Sequence, residues 1–517
     1  MGQRHTVDYR HVTPTSVTEA VYTALAEVDA LVEAVIEDRD RTYHATLGRL
    51  EAAGILLDDV TGRAAFLGHV HPDADVRDAG HTAEERIEKS RVSIRDSADV
   101  AAAIRRHAAT PAAQELTGDR RVVLERWARD IRRAGHDLPA AAHAEVQRLR
   151  MRIVELEVAF ARNVEAERPS VEITPDELGT LPSALAERVD RDADGRLVLP
   201  FDLSTVAAFL EDAPIRALRE RIERRWLSWA AEANRPVLEE ILAARRRAAA
   251  LLGYRSWAAY RTETRMAGDA ESVDRLIAMV AGPLRELARS ELAEMAEHLR
   301  ADEPGTDPPT VQDWDWRYYD AVRRRELGVD PRLLSEHLPL DGVLSGLFGL
   351  VEDVFGVRVT EVDDANGWHA DVRRFVLSDR TSDAILGEFL FDPYPRDGKD
   401  PGAFAWPLLS GRRGADGVWI PAVVALVTNV TPPASTAPSL LRHSEVETIF
   451  HEFGHVLDGI LTRFDRPWFA WDWLPLDWAE APSQILEHWT WDPTVLRRFA
   501  RHHRTGGGPQ RRAGHLL

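Results

Sequence analysis

Residues 445–455 read EVETIFHEFGH, and on an α-helix this run places His451 and His455 on one face, one turn apart. Two imidazole nitrogens on one face provide half of a tetrahedral metal site. Glu452 lies about 100° further round the helix, so its carboxylate reaches beside the ion, where a general base for water is needed. The run therefore predicts a metal-binding helix that activates water.

A third ligand is expected from Glu480, in the stretch DWAEAPSQ at residues 477–484. A catalytic zinc uses three protein ligands and keeps one position open for water. Glu480 follows His451 by 29 residues, which is enough for one helix to end, a loop to cross and a second helix to return a carboxylate. Ligation by two nitrogens and one oxygen, with the availability of zinc, predicts one Zn²⁺ per chain, although no residue excludes manganese or cobalt.

Two further carboxylates are candidates for orienting the ligands. Glu447 precedes His451 by four residues and Glu487 follows Glu480 by seven, so both are expected on the ligand-bearing helix faces. A carboxylate in such a place can accept an imidazole N–H and fix the tautomer of the ligand. For Glu447 the alternative is a solvated surface side chain.

A longer pattern surrounds these residues, namely HSEVETIFHEFGHV at 443–456, EAPSQ at 480–484 and Glu487-x-Trp489. This pattern resembles the thimet oligopeptidase, oligopeptidase A and oligoendopeptidase family of zinc metallopeptidases, and the resemblance covers most of residues 140–490. It implies that His451, His455 and Glu480 bind zinc and that Glu452 activates water to hydrolyse peptides. It also implies elongated multi-helix lobes around a deep channel.

The remaining sequence predicts a mainly α fold with a small β-sheet next to the metal helix. Apolar residues recur at three- and four-residue steps from Val17 to Val35, which indicates a long amphipathic helix. Asn234 is predicted to cap a later helix that ends at Gly253. We expect four regions: an N-terminal helical region (1–168), the helical body of the peptidase (169–370), the small sheet with the zinc-binding helices (371–490) and an irregular tail (491–517).

The predicted sheet occupies residues 375–431, where apolar runs are divided by Gly, Pro and Asp. A sheet edge can hold an extended peptide by main-chain hydrogen bonds. Here Gly402-Ala403-Phe404 and the residues just before them are similar to the oligoendopeptidase members of the family. These three residues are expected to bind the substrate; the alternative is an ordinary edge strand that ends in a turn.

Composition limits the classes of function. The 517 residues carry a net charge of −20 at pH 7, which argues against nucleic-acid binding, because phosphate groups need a concentrated basic surface. No run approaches the roughly 18 apolar residues of a membrane span, and the N-terminus lacks an apolar signal region. The absence of cysteine excludes disulfides and fits a reducing compartment. We expect a cytoplasmic monomer whose partners are short peptide substrates.

The C-terminal part departs from the resembled family. The last of eight tyrosines is Tyr394, whereas the family has His and Tyr residues well beyond the third ligand. The sequence AWDW at 470–473 replaces a small Ser/Gly loop, and the chain stops 37 residues after Glu480. Two functions are therefore expected: a zinc endopeptidase for short peptides, or a truncated, catalytically impaired zinc-binding remnant that at most binds peptides. A helical scaffold with a coincidental motif is a third.

Overall fold

The computed structural model describes residues 8–508 except 168, 202, 305–308, 328–330, 365, 415 and 464–473. The AWDW sequence and residues 509–517 of the predicted tail lie outside the described residues. The chain forms two compact units. Unit 1 combines the described residues of Met1–Asp137 with those of Pro331–Arg511, and unit 2 consists of those of Leu138–Asp330. This grouping differs from the consecutive regions expected above, whose boundaries stay predictions.

The N-terminal part of unit 1 is helical. Helix α1 (Pro14–Glu37) begins after Thr13, whose hydroxyl accepts from the Ser16 N–H at 3.1 Å. It buries valines at helical spacing, namely Val17, Val21, Val28 and Val35. The chain continues through α2 (Arg49–Val60), α3 (Leu67–Val70), α4 (Ala74–Asp96), α5 (Ala98–Ala108), α6 (Pro111–Gln114) and α7 (Gly118–Ala134), with π-helical segments at His44–Gly48 and Thr61–Ala65.

Unit 2 is mostly helical and carries a small antiparallel sheet in the order β1-β3-β2, with strands β1 (Ser170–Glu172), β2 (Asp190–Arg191) and β3 (Leu197–Pro200). Its helices are α8 (Ala140–Ala166), α9 (Pro175–Leu178), α10 (Ser183–Ala186), α11 (Leu203–Asp212), α12 (Arg216–Leu227), α13 (Ala231–Leu251), α14 (Trp257–Thr262), α15 (Ala270–Asp302) and α16 (Trp316–Glu326). Ion pairs such as Arg152–Glu240 (2.7 Å) join α8 to α13.

The predicted cap at Asn234 is wrong, because α13 begins three residues earlier, at Ala231. Asn234 is buried within the helix. Its amide donates to Phe160 O at 3.2 Å and accepts from the Asn163 amide at 2.9 Å. The side chain thus joins α13 to α8 instead of satisfying the start of its own helix.

The second part of unit 1 contains a five-stranded sheet in the order β4-β5-β6-β10-β7. Its strands are β4 (Val357–Val362), β5 (Arg373–Asp379), β6 (Ile385–Asp392), β7 (Phe404–Leu409) and β10 (Ala422–Val427); β8 (Arg412–Arg413) and β9 (Trp419–Ile420) form a separate pair. The helices are α17 (Pro331–Ser335), α18 (Leu340–Phe355), α19 (His443–Leu461), α20 (Ala481–Trp489) and α21 (Pro493–Phe499). Strand β10 is parallel to β6 and antiparallel to β7, which lies at the sheet edge.

Both faces of this sheet are covered within unit 1. All six residues of β10 are buried. One alternating set, with Val424 and Leu426, packs in the core that includes α18 and α19, and the other, with Val423 and Val427, packs against the N-terminal helices. A strand buried on both faces needs a continuous apolar run, which β10 has. The mainly α fold with a small sheet beside helix α19 is thereby confirmed.

Helix α21 lies inside the region expected to be an irregular tail. Asp492 caps it by accepting from the Thr494 N–H at 2.6 Å, and Val495, Leu496 and Phe499 are buried. Seven residues are too few for apolar periodicity to distinguish a helix from a loop. No helix among the described residues combines the length and apolarity needed to cross a membrane. The lobes and the deep channel stay predictions.

Candidate metal centre

Residues 445–455 (EVETIFHEFGH) lie within helix α19, which is amphipathic and packs against the sheet. Its apolar side chains, including Val446, Ile449 and Phe453, are buried in the core shared with the sheet. At its start, the Glu445 carboxylate accepts from the Arg442 N–H at 2.7 Å and from the Thr431 N–H at 2.8 Å. The helix is therefore fixed by its packing and by its first turn, which holds the side chains on its other faces in place.

The structure brings His451, His455 and Glu480 together. The Nε2 atoms of the two histidines lie 3.3 and 3.2 Å from Glu480 Oε2, and the two rings have centroids 5.0 Å apart. Each residue offers one ligand atom, and these atoms all lie within 4.8 Å of one another. Ligands bound at 2.0–2.1 Å in a tetrahedron stand about 3.3 Å apart. Two nitrogens and one oxygen at this spacing fit Zn²⁺ with one position open.

Close contact between α19 and α20 places Glu480 over the histidines. A Cβ on Gly454 would lie 2.5 Å from Ser483 Cα and 2.7 Å from Pro482 O, so the two backbones meet where α19 has no side chain. Ser483 is fully buried, and its Oγ lies 2.8 Å from Glu480 Oε2. Sequence reasoning missed both roles, although a glycine between metal-ligating positions of a helix is a signal for close packing.

Glu452 lies beside the cluster and is only 6% exposed. Burial raises the pKa of its carboxyl to about 7; His451 and the Ala405 N–H oppose this shift, and Glu480 adds to it. The contact with Ala405 places the carboxyl against β7, the edge strand. Burial also lowers the pKa of His455, which favours the neutral imidazole that a metal requires.

The two carboxylates predicted to orient the ligands have different partners. Glu487 Oε1 forms a hydrogen bond with His451 Nδ1, on the side of the ring opposite the nitrogen that faces Glu480. Glu447 instead accepts from the Trp491 indole N–H at 3.0 Å, and it bonds to neither imidazole among the described residues. The expectation for Glu447 is corrected accordingly, because α19 directs this side chain towards the turn that follows α20.

The predicted substrate-binding residues lie at the start of β7. Phe404 is its first residue, and the Gly402 N–H donates to Asp400 Oδ1 at 2.8 Å. The Asn429 amide holds the segment by donating to Asp400 O and Gly402 O, at 2.9 and 2.7 Å. Gly402, Ala403 and Phe404 are thus part of an ordered segment that leads into the strand beside Glu452.

The part of the chain that contains this cluster matches a known protein family. The profile of Peptidase family M3 matches residues 209–511, which include every residue of the cluster. Thimet-like oligopeptidase of Dictyostelium discoideum is 26% identical over 475 residues, covering 89% of this chain and 70% of that protein. Oligopeptidase A of Escherichia coli (strain K12) is 31% identical over 396 residues, covering 73% and 58%.

Saccharolysin of Saccharomyces cerevisiae is similar at the same level, 27% identical over 476 residues that cover 87% of this chain and 66% of that protein. This chain therefore spans between 58% and 70% of the length of these three relatives. The profile match extends over more than half of the chain and contains the two histidines, Glu452 and Glu480. The chain belongs to Peptidase family M3.

Proposed function

We propose that this protein is a zinc metallopeptidase that hydrolyses short peptides, with Glu452 as the general base. The observation that carries the proposal is the convergence of His451, His455 and Glu480, with their ligand atoms within 4.8 Å of one another and Glu452 beside them. Membership of a peptidase family and the oligopeptidase names of its relatives support the choice of peptides as substrates.

Glu452 has the properties needed to move a proton twice. A bound zinc ion would polarise the scissile carbonyl and make water more acidic. Glu452 would take a proton from the attacking water and later give it to the amine that leaves when the C–N bond breaks. Without an ion, burial raises the pKa of Glu452 to about 7. The charge of a bound cation would lower this pKa and so favour the carboxylate form that accepts a proton from water.

The proposed substrate position is the free edge of β7. This strand pairs with β10 on one side only among the described strands, so an extended peptide could add to its other side by main-chain hydrogen bonds. Ala405, within β7, contacts the Glu452 carboxyl. A peptide along this edge would bring its scissile bond to the cluster, with Gly402, Ala403 and Phe404 beside it.

The test compares wild-type protein and Glu452→Gln, each loaded with zinc, against a short internally quenched peptide. We expect one zinc retained at the cluster in both proteins and a rate about 10²- to 10⁴-fold lower in the variant, which is the usual contribution of a general base. Equal rates would retire the peptidase proposal.

The same experiment distinguishes the other functions that the sequence suggests. A catalytically impaired zinc-binding protein would retain zinc at His451, His455 and Glu480 but would show no difference between wild type and Glu452→Gln. A helical scaffold with a coincidental motif would retain no zinc at these residues. Elemental analysis of wild type and His455→Ala, done beside the peptide assay, separates these two outcomes, because only the difference between the two proteins counts zinc at this cluster.

A further inference from the structure

A second histidine and carboxylate cluster lies in unit 1, on α3 and α4 and not on α19. His69 comes from α3, and His81 and Glu84 come from one face of α4. The candidate ligand atoms of these three residues all lie within 4.8 Å of one another. The sequence gives little sign of the group, because its histidines are 12 residues apart and lie on different helices.

Two features of this second cluster, one nitrogen–oxygen distance and the arrangement of the imidazole rings, resemble those of the first. His69 Nε2 lies 3.2 Å from Glu84 Oε2, compared with 3.3 Å between His451 Nε2 and Glu480 Oε2. The rings of His69 and His81 have centroids 5.4 Å apart at 88°, compared with 5.0 Å and 80° in the first pair. One nitrogen and one oxygen of the second cluster therefore already have the spacing of tetrahedral ligands. The third ligand atom, from the exposed His81, lies within 4.8 Å of both, so a small movement of its side chain brings all three to one ion.

A carboxylate also lies on the far side of the His69 ring, just beyond hydrogen-bond distance. Asp400 Oδ2 lies 3.8 Å from His69 Nδ1, the ring nitrogen opposite the one that faces Glu84. At the first cluster, Glu487 takes this position on His451 Nδ1. A metal-bound histidine commonly has a carboxylate on its second nitrogen, which orients the ring and strengthens the ligand.

The fold holds the second cluster in place before any ion binds. A Cβ on Gly80 would lie 2.4 Å from Gly68 N, so α3 and α4 meet backbone to backbone and His69 comes beside His81. The His69 ring packs against Trp406 of β7, with ring centroids 5.2 Å apart. The Asp400 N–H donates to His69 O at 2.8 Å. Such preorganisation lowers the entropy that binding must overcome.

We propose that His69, His81 and Glu84 form a second binding site for a divalent transition metal ion, and that zinc is the ion it takes. Two imidazoles and a carboxylate are a donor set that zinc favours. Bound there, the ion would join α3 and α4, and Asp400 would connect it to the segment that leads into β7. Its role would be to stabilise this part of unit 1.

The first measurement counts zinc sites on chelator-stripped protein, with a chromophoric chelator as competitor. We expect two sites in the wild type, one in His81→Ala, one in His455→Ala and none in the double variant. His81 is exposed, so its replacement should leave the fold intact, which far-UV circular dichroism would verify. Glu85→Gln is the matched control, because this neighbouring carboxylate is 65% exposed and pairs with Lys89 instead.

The second measurement uses His455→Ala, in which only the proposed site would remain. Zinc should raise the Tm of this variant and should leave the Tm of His455→Ala/His81→Ala unchanged. The double variant His455→Ala/Glu84→Ala should likewise show no change of Tm with zinc. An equal number of sites in wild type and His81→Ala would overturn the proposal. So would a zinc-dependent rise in Tm that persists in His455→Ala/His81→Ala. A single wild-type site that is lost in His81→Ala but kept in His455→Ala would instead contradict the proposed function.

Discussion

Gly454 controls how closely α19 approaches α20, and a methyl group at this position would overlap backbone atoms of Pro482 and Ser483. We expect Gly454→Ala to lower the free energy of unfolding by about 1–3 kcal/mol, the usual cost of overpacking. It should also weaken zinc binding, because Glu480 moves with the start of α20. Urea unfolding of the metal-free protein and a zinc titration would measure the two effects.

The matched control is Gly349→Ala on α18, where an added Cβ meets no atom within 4 Å. Alanine is a better helix former than glycine, so the free energy of unfolding of this variant should rise by about 0.5–1 kcal/mol. Both substitutions add one methyl group, but we expect Gly454→Ala to lower the free energy of unfolding and Gly349→Ala to raise it. If Gly454→Ala matched the wild type in zinc affinity and stability, the contact between α19 and α20 would not set the site.

Lys399 is a buried cation that we expect to lose its proton at a lower pH than an ordinary lysine. Its Nζ lies within 3.1 Å of four oxygen atoms, from Asp392, Tyr394 and Thr428. Burial lowers the pKa of Lys399 to about 8, although Asp392 opposes the shift. Between about pH 8 and the ordinary value of 10.5, the unfolded chain therefore binds more protons at this residue than the folded chain does. The contribution of Lys399 to the free energy of unfolding should rise with pH over that window.

This titration can be measured directly, because Lys89 and Lys399 are the only lysines in the sequence. Protein labelled with ¹³C at lysine Cε should give two signals, and Lys89→Arg would identify the one from Lys399. We expect that signal to titrate with a midpoint near pH 8. A midpoint at or above pH 10 would show that the hydrogen bonds around Nζ outweigh its burial.

At the scale of elements, the packing of α20 against α19 gives Glu487 and Glu447 different partners, so we expect their replacement to have different effects. Glu487→Gln replaces the charged partner of His451 Nδ1 with a neutral one, so zinc affinity should fall about 10- to 100-fold. Glu447→Gln is the control, because Glu447 accepts from Trp491 and touches neither imidazole among the described residues. Zinc competition titrations of both variants test the assignment, which equal affinities would contradict.

The sequence predicted the helix of His451 and His455 well, because apolar spacing and the motif agree on one period. It also predicted that Glu480 returns on a second helix. It left Glu447 open between an imidazole partner and the solvated surface, since a position on a helix face does not reveal which neighbour that face meets. The partner Trp491 lies 44 residues away and reaches Glu447 only through the packing of α20 against α19.

Short elements and tertiary contacts were beyond sequence patterns for the same reason. Helix α21 has seven residues and depends on burial against α18, where Gly346 leaves space for the Phe499 ring. Asn234 has the residue type of a cap, but hydrogen bonds to α8 decide its place within α13. In each case the stabilising contacts come from a segment that is distant in sequence. A local sequence pattern carries no information about such a segment.

At the scale of the whole molecule, unit 1 is assembled from two parts of the chain that lie far apart in sequence. Strand β10 shows why, since its two faces need separate apolar partners: α19 follows it closely in the chain, whereas the N-terminal helices precede it by some 300 residues. The burial of both faces of β10 could be inferred from its continuous apolar run. The identity of the second covering layer could not, because any amphipathic helix would satisfy that run.

Each unit has hydrophobic clusters of its own, and both proposed zinc sites lie in unit 1. A bound ligand raises the free energy of unfolding only for the part of the protein whose unfolding releases it. At a free ligand concentration of 100 times the Kd, one site contributes about 2.7 kcal/mol. The contributions of two sites add, so zinc at 100 times the Kd of each site should slow hydrogen exchange about 10⁴-fold in the most protected amides of α19. Exchange in α11 and α12, around Phe209 and Ile222, should stay unchanged.

Hydrogen exchange with mass spectrometry, with and without zinc, would follow both units in one sample. The control is His455→Ala/His81→Ala, in which zinc should change exchange in neither unit. Slowing of α11 and α12 by the same factor as α19 would mean that the two units unfold as one cooperative structure, so the stability supplied by zinc would reach residues that have no part in either site.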